Sequence, residues 1–290
     1  MERRSFIISP EADGMKAADL LRRLLPDLPE STFRKLFASR DVRLDGVRIS
    51  RDAQVHTGQT LLVFLPPSSG QVSPLRIVYE DEDILLVNKP AGISVEPDRP
   101  GAVSLAELCR IHVGAEGSDS FFPAACHRLD NKTSGLCLFA KKEDTLAILQ
   151  DAFRQRMMEK YYTCLVRGMI KPPSAVCSAW LRKDAKLARV WILDHQEPGA
   201  RPITTGYETL ECGSVSRLKV HLITGRTHQI RAHLAALGHP ILGDDLYGDR
   251  DFNRLHKTRS LRLCATSLCL FTGGRLPQLD GRTFEIIPPF

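Results

Sequence analysis

Apolar and polar positions fall into two regions along this chain, divided at Pro66-Pro67-Ser68-Ser69-Gly70 and Pro74. Prolines, serines and a glycine in succession neither continue a helix nor fill a central strand, so residues 66–74 read as a linker. Residues 12–65 are expected to form a small domain and residues 75–290 a larger one. In the small domain, residues 18–25 read as a short helix stopped by Pro26. Ser31 reads as the N-cap of a second helix over residues 32–39, with Phe33, Leu36 and Phe37 at helical spacing. Val42-Arg43-Leu44, Asp45-Gly46 and Val47-Arg48-Ile49 carry the signal of a hairpin, and residues 59–64 that of a strand.

The larger domain is dominated by strand patterns. Residues 84–87 read as a buried strand ending in the turn Asn88-Lys89-Pro90-Ala91-Gly92, and residues 136–140 and 161–166 are similar. Leu218-Lys219-Val220-His221-Leu222 alternates as a half-buried strand does. Two helices are expected between them. Asp144 would cap one that carries Leu146, Leu149, Phe153 and Met157. The other runs over residues 227–237, with Ile230, Leu234 and Leu237 inward and Gly238 as terminator. Many strands at irregular intervals with few helices predict an α+β fold, not a doubly wound parallel sheet. There is no internal repeat and no glycine-rich phosphate loop.

Composition narrows the class only slightly. The 290 residues are 43% hydrophobic and 26% charged, as in an ordinary globular protein. No apolar run approaches the ~18 residues that span a bilayer, and Phe6-Ile7-Ile8 is too short for a signal-peptide core, so the protein is expected to be cytoplasmic. The eight cysteines lack zinc-ligand spacing and are expected to be buried structural thiols, with neither metal nor disulfide. Net charge is +6, concentrated in two stretches. Residues 32–51 hold six basic against two acidic side chains, and residues 217–262 nine against four. Such clustering suits a polyanionic partner.

The candidate chemistry lies in His127-Arg128-Leu129-Asp130-Asn131-Lys132-Thr133-Ser134-Gly135, a polar turn before an apolar strand. Asp130 should face solvent or a cleft there. A carboxylate so placed can act as nucleophile or general base if a cation holds it ionised, or it can merely cap backbone N–H groups of the turn. Arg226 precedes the expected start of a helix, where a guanidinium backed by the helix's positive end could pair with a carboxylate. His228, His233 and His239 are expected to pack or hydrogen-bond.

The first of these segments, His-Arg-Leu-Asp, two residues, Thr-Ser-Gly and a strand ending Ala-Lys, resembles the signature of the RluA-type pseudouridine synthases. Three further blocks occur in that family's order: Asn88-Lys89-Pro90-Ala91-Gly92; Lys160-Tyr161-Tyr162; and Thr224-Gly225-Arg226-Thr227-His228-Gln229-Ile230-Arg231 running on to Gly238-His239-Pro240 and Gly243-Asp244. The resemblance covers roughly residues 75–265 and is RluC/RluD-like. It implies a mixed, largely antiparallel sheet flanked by helices and loops, and conversion of uridine to pseudouridine in structured RNA without a cofactor. It also implies Asp130 as catalytic carboxylate, Arg226 as its ion-pair partner, and Tyr162 as the residue that stacks on the flipped base and serves in proton removal from C5. Tyr161 should face the other side of the strand. The small domain, with Arg34, Lys35, Arg40 and Arg43 on its polar side, resembles the RNA-binding domain named after ribosomal protein S-four. His127, Arg128, Lys89, Lys160 and Arg231 are expected RNA contacts.

Three departures bear on the RNA target more than on the reaction. Val95-Glu96-Pro97 stands where family members often have Val-His-Pro, Leu263-Cys264-Ala265 where Leu-His-Ala is usual, and no His-Pro occurs around Phe271-Thr272-Gly273. Large-subunit ribosomal RNA is the leading substrate and transfer RNA the second. The rival readings are a non-catalytic RNA-binding assembly protein, which has no need of Asp130, Tyr162 and Arg226 together, and an enzyme of free nucleosides, which leaves the basic small domain unexplained. The protein is expected to be a monomer.

Overall fold

The computed structural model describes residues 2–25, 30–39, 41–65, 75–98, 103–114 and 121–290. The chain forms two compact units, Met1–Pro74 and Leu75–Phe290. The linker 66–74, Pro26, Arg40 and the side chains of Ser31 and Lys35 lie outside the described parts.

The small unit holds the helices Ala17–Leu24 and Glu30–Ala38 and a four-stranded antiparallel sheet. The hairpin forms as its sequence predicts: Asp45 and Gly46 both take positive φ, the geometry of a two-residue turn matched to strand twist. One strand begins earlier than the 12–65 reading allows. Glu2–Ile7 pairs antiparallel with Thr60–Leu65, so the N-terminal residues belong to this sheet. Leu21, Leu36, Val42, Leu61 and Val63 fill the core.

The larger unit is built on one eleven-stranded sheet, with helices packed against parts of it. Its main path runs Arg189–Leu193, Ser174–Asp184, Arg201–Glu211, Val215–Leu222, Glu159–Arg167, Leu263–Cys269, Ser134–Ala140, Ile84–Lys89 and Ile77–Glu80. Every pairing is antiparallel except that of Leu263–Cys269 with Ser134–Ala140. That central parallel seam sits directly after the Asp130 turn, and Gly135 makes it possible. Gly135 has φ +114°, and a Cβ added there would lie 2.2 Å from the carbonyl oxygen of Ala265. Gly135→Ala is therefore expected to destabilise the protein by about 3 kcal/mol or more, through backbone clash and strain together. Thermal unfolding would show it as a melting temperature lowered by roughly 10 °C.

Three helix readings need correction. Ser31 lies within the helix Glu30–Ala38 and so is not the residue that precedes it. The helix Glu143–Arg154 is preceded by Lys142, so Asp144 lies in its first turn and does not cap it; Met157 lies beyond its end. The helix placed at residues 227–237 spans Gln229–Ala236, with His228 as its N-cap in the left-handed region, and Leu237 is exposed. All eight cysteines are free; six are buried, but Cys212 is exposed and Cys177 half-buried, against the expectation that all are core thiols. No helix among the described residues is long and apolar enough to cross a membrane.

Candidate active site

The Asp130 segment is anchored at both ends. Leu129 points into the main core, and the turn closes with Thr133 N–H donating to Asp130 O at 3.0 Å. Asp130 is thereby lifted to the wall of a cavity of about 530 Å³, its side chain 19% exposed. Six cationic side chains line this cavity: Arg128, Arg154, Arg156, Lys160, Arg226 and Arg231. Asp130 is the one acidic side chain among the described residues that line it.

The cation that reaches Asp130 is Arg231, not Arg226. Arg231 Nη1 lies 3.5 Å from Asp130 Oδ2, and its side chain is 5% exposed. The reason lies in where the helix starts. Because the helix begins at Gln229, Arg226 falls in the preceding turn and is exposed, whereas Arg231 is the third helical residue and faces inward. Gln229 holds that turn: its Oε1 accepts from Thr224 Oγ1 and Arg226 N, and its Nε2 donates to Thr204 O and Thr205 Oγ1. Arg231 is itself held by Asp244, whose fully buried carboxylate takes Nε at 2.7 Å and Nη2 at 2.9 Å. Burial opposes the guanidinium charge of Arg231, but the Asp244 hydrogen bonds and charge outweigh it and raise its pKa. The Asp244 carboxyl is pushed up by burial and pulled further down by Arg231 and by the N–H groups of Leu246 and Tyr247, with a net lowering. The fork thus spends two arms on Asp244 and turns the third to Asp130. A signal for this was present in the sequence: an arginine next to Ile230 and one turn from Leu234 lies at the edge of a buried stripe, where it needs a carboxylate.

Tyr162 lines the same cavity and is buried, as its strand parity predicts, while Tyr161 points the other way and stacks on His221 at 4.6 Å. Burial and then the negative charge of Asp130 push the Tyr162 phenol well above its ordinary range. It is a neutral phenol at physiological pH, so it can accept a proton only while passing its own on.

His127 and Lys160 form one wall with Phe153. The His127 ring lies 4.9 Å from the Phe153 ring, and its Nε2 accepts from Leu138 N–H at 3.2 Å. Burial, with the Lys160 charge adding to it, pushes its imidazole down to about 3, so it is neutral and fixed in place. Lys160 Nζ sits 5.6 Å from the centre of the Phe153 ring, with no acidic side chain among the described residues in ion-pair range. Burial lowers its pKa. Arg128 and Arg226 are exposed on the rim.

Lys89 is the clearest departure from expectation. It is 0% exposed and makes no part of the cavity wall. Its ammonium donates to the carbonyls of Pro90 at 3.1 Å, Ile93 at 2.8 Å and Asn131 at 3.0 Å. Three donors meet three acceptors, and none is left for a phosphate. Lys89 instead ties the Asn88–Gly92 turn to the residue after Asp130, a link doubled by Gly92 N–H to Asn131 O. Burial pushes its pKa down to about 8, against the raising influence of Cys137 and Asp130. Between pH 8 and 10.5 the unfolded chain therefore holds a proton that the folded chain has lost, and this group makes stability rise with pH across that window. In Lys89→Met that component of the pH dependence of urea unfolding should vanish, while the salt dependence of RNA affinity stays unchanged.

Of the remaining expected RNA contacts, Arg34 is exposed on the small unit. Arg43 is half-buried with its guanidinium 4.9 Å from the centre of the Phe64 ring. Lys35 and Arg40 fall outside what is described. Sequence reasoning missed Phe153, Arg154 and Arg156; His228, expected to pack or hydrogen-bond, pairs through Nδ1 with the Tyr247 hydroxyl at 3.0 Å and also lines the cavity. His233 and His239 do serve in hydrogen bonds, to Thr205 Oγ1 and Arg167 O.

Residues 83–236 match the family described as RNA pseudouridylate synthase. The chain belongs to that family. It is 32% identical over 263 residues to the ribosomal large subunit pseudouridine synthase C of Vibrio parahaemolyticus, covering 85% of this chain and 80% of the relative. The corresponding Escherichia coli protein is 31% identical over 261 residues, with the same coverage of both. Among solved structures, human RNA pseudouridylate synthase domain containing 1 superposes with a TM-score of 0.59 at 27% identity, over 77% of this chain and 93% of that one. Pseudouridine synthase activity on RNA, an isomerisation, follows from membership, and the RluA-type resemblance of the four motifs holds with it.

Proposed function

We propose that the chain isomerises uridine in large-subunit ribosomal RNA, with Asp130 as the catalytic carboxylate, Arg231 as its paired cation and Tyr162 as the platform for the flipped base. The observation that carries the site assignment is that, among the described residues, Asp130 is the single carboxylate in a cavity whose lining includes six cations. A polyanionic strand is attracted to such a cavity, and among the described residues that line it only Asp130 can act as anionic nucleophile or base. The bond from C1′ to N1 breaks, the uracil turns, and C5 bonds to C1′; the proton lost from C5 balances the one gained at N1. No redox change or added group is needed, so this chemistry requires no cofactor. Tyr162 stacks on the base and relays a proton as a phenol.

Lys160, Arg128 and Arg226 are proposed to bind phosphates of the extruded nucleotide and its neighbours. Lys160→Met should lower the slope of log affinity against log salt by about one, which Lys89→Met does not do. The small unit, outside the matched residues 83–236, is proposed to be the S-four-like RNA-binding domain, with Arg34, Lys35, Arg40 and Arg43 facing RNA. The ribosomal assignment draws on the two relatives being ribosomal large subunit pseudouridine synthases C, and a cytoplasmic monomer is the proposed setting. Incubating the protein with ribosomal and transfer RNA from cells that lack it, then mapping pseudouridine, tests the substrate. New pseudouridine in large-subunit RNA is expected; modification confined to transfer RNA would refute the ribosomal assignment.

A further inference from the structure

His228 does more than cap a helix. Its backbone is held at φ 53° and ψ 16°, a left-handed conformation uncommon for a residue with a side chain and one that clusters at functional sites. That conformation directs the ring into the cavity, with Nε2 4.0 Å from Asp130 Oδ2. On the other side of the ring, Nδ1 lies 3.0 Å from the Tyr247 hydroxyl. The Tyr247 oxygen already accepts the N–H of Val190 at 2.9 Å. Burial keeps the Tyr247 phenol protonated. Among the described residues, the acceptor within reach of its hydroxyl hydrogen is His228 Nδ1.

The bonding inventory then fixes the tautomer. An Nδ1 that accepts from Tyr247 carries no hydrogen, so in a neutral imidazole the hydrogen is on Nε2 and points at Asp130. We propose that Val190 N–H, Tyr247 O–H and His228 Nε2–H form a directed relay that presents a donor to Asp130, with Tyr247 a positioning residue for the reaction. The inference rests on the reading of Asp130 as the catalytic carboxylate. Both cationic or donor neighbours of Asp130, Arg231 Nη1 and His228 Nε2, address the same oxygen, Oδ2. Oδ1 is thereby left to meet the substrate. The 4.0 Å gap is one that closure around RNA would shorten, since catalytic hydrogen bonds tighten in the complex.

The charged surroundings agree with a neutral ring. Burial lowers the His228 pKa; Asp130 and Asp244 act against it, while Arg231 and Arg128 add to it. These groups come from the Asp130 loop, the helix Gln229–Ala236 and the loop that carries Asp244, and Tyr247 faces the ring from the last of these. The opposite tautomer would turn a lone pair toward Oδ2 and remove a donor from Asp130.

The test is the tautomer itself together with a double-mutant cycle. Long-range ¹H–¹⁵N correlation of the histidine rings in the full-length wild-type protein, with His228→Gln to assign the resonance, reads which nitrogen is protonated. The Nε2–H form is expected, and an Nδ1–H form overturns the relay without any further variant. In steady-state assays Tyr247→Phe should lower kcat about tenfold with KM nearly unchanged, the size of one lost hydrogen bond to a charged group. His228→Gln replaces the fixed ring with a flexible amide and has no tautomer to set, so it should itself lower kcat at least as far as Tyr247→Phe does. The decisive comparison is Tyr247→Phe in the His228→Gln background, where it should cost nothing more. An equal loss in both backgrounds would make Tyr247 a packing residue and overturn the proposal. Asp130→Asn separates the two readings: activity surviving in it removes the catalytic role of Asp130, while the tautomer result stands or falls independently.

Discussion

Asp130→Asn should abolish pseudouridine formation, a loss of at least about 10⁴-fold in kcat, while the protein still folds and binds RNA. The physical grounds are local. Asparagine has the shape of aspartate, and the backbone bond that closes the Asp130 turn does not use the carboxylate. Removing the negative charge leaves Arg231 still held by two bonds to Asp244, so the neighbouring cation stays in place. What disappears is the one acidic side chain among the described residues of a cavity that six cations help to line. Affinity for RNA should therefore be unchanged or slightly higher. Equal RNA binding by titration, alongside absent modification, is the pattern expected.

The second large effect separates two arginines that lie five positions apart. Arg231→Met should eliminate activity and also destabilise the protein by about 3–5 kcal/mol, because Asp244 would be left as a buried carboxylate without its cation. Arg231→Lys should recover part of the stability but little of the activity, since a single ammonium cannot serve Asp244 and Asp130 at once. Arg226→Ala should lower activity less than about tenfold and act mainly through RNA affinity and its salt dependence, as suits an exposed rim cation. Urea unfolding and kcat measured on the three variants check both halves. Comparable losses of kcat in Arg226→Ala and Arg231→Met would contradict the assignment of the ion pair.

The contrast also shows what could be read from residues alone. The Asp130 segment was legible because its chemistry is contiguous: a polar turn, a glycine forced by the central seam, and an apolar strand follow in order. The alternation of Val215–Leu222 and the Asp45-Gly46 turn were legible for the same local reason. The choice of arginine was not, because it depends on whether a helix begins at residue 227 or 229; His228 is left-handed there, and Gln229 is held by a distant strand. Lys89 was hidden because lysine is ordinarily solvated, and its partners are backbone carbonyls that no side-chain pattern announces. The long strands Ser174–Asp184 and Arg201–Glu211 were missed since much of one face meets solvent, leaving serines, threonines and charges where a core strand would be apolar. Glu2–Ile7 was missed because it is a strand only through its pairing with Thr60–Leu65.

The account is tested most directly in cells that lack this protein, complemented with the wild-type or the Asp130→Asn chain at equal expression, by a nucleotide-resolution map of pseudouridine over all ribosomal and transfer RNA. One or a few uridines of large-subunit RNA should be modified with the wild-type chain and unmodified with the variant. An identical map from both chains would contradict the account.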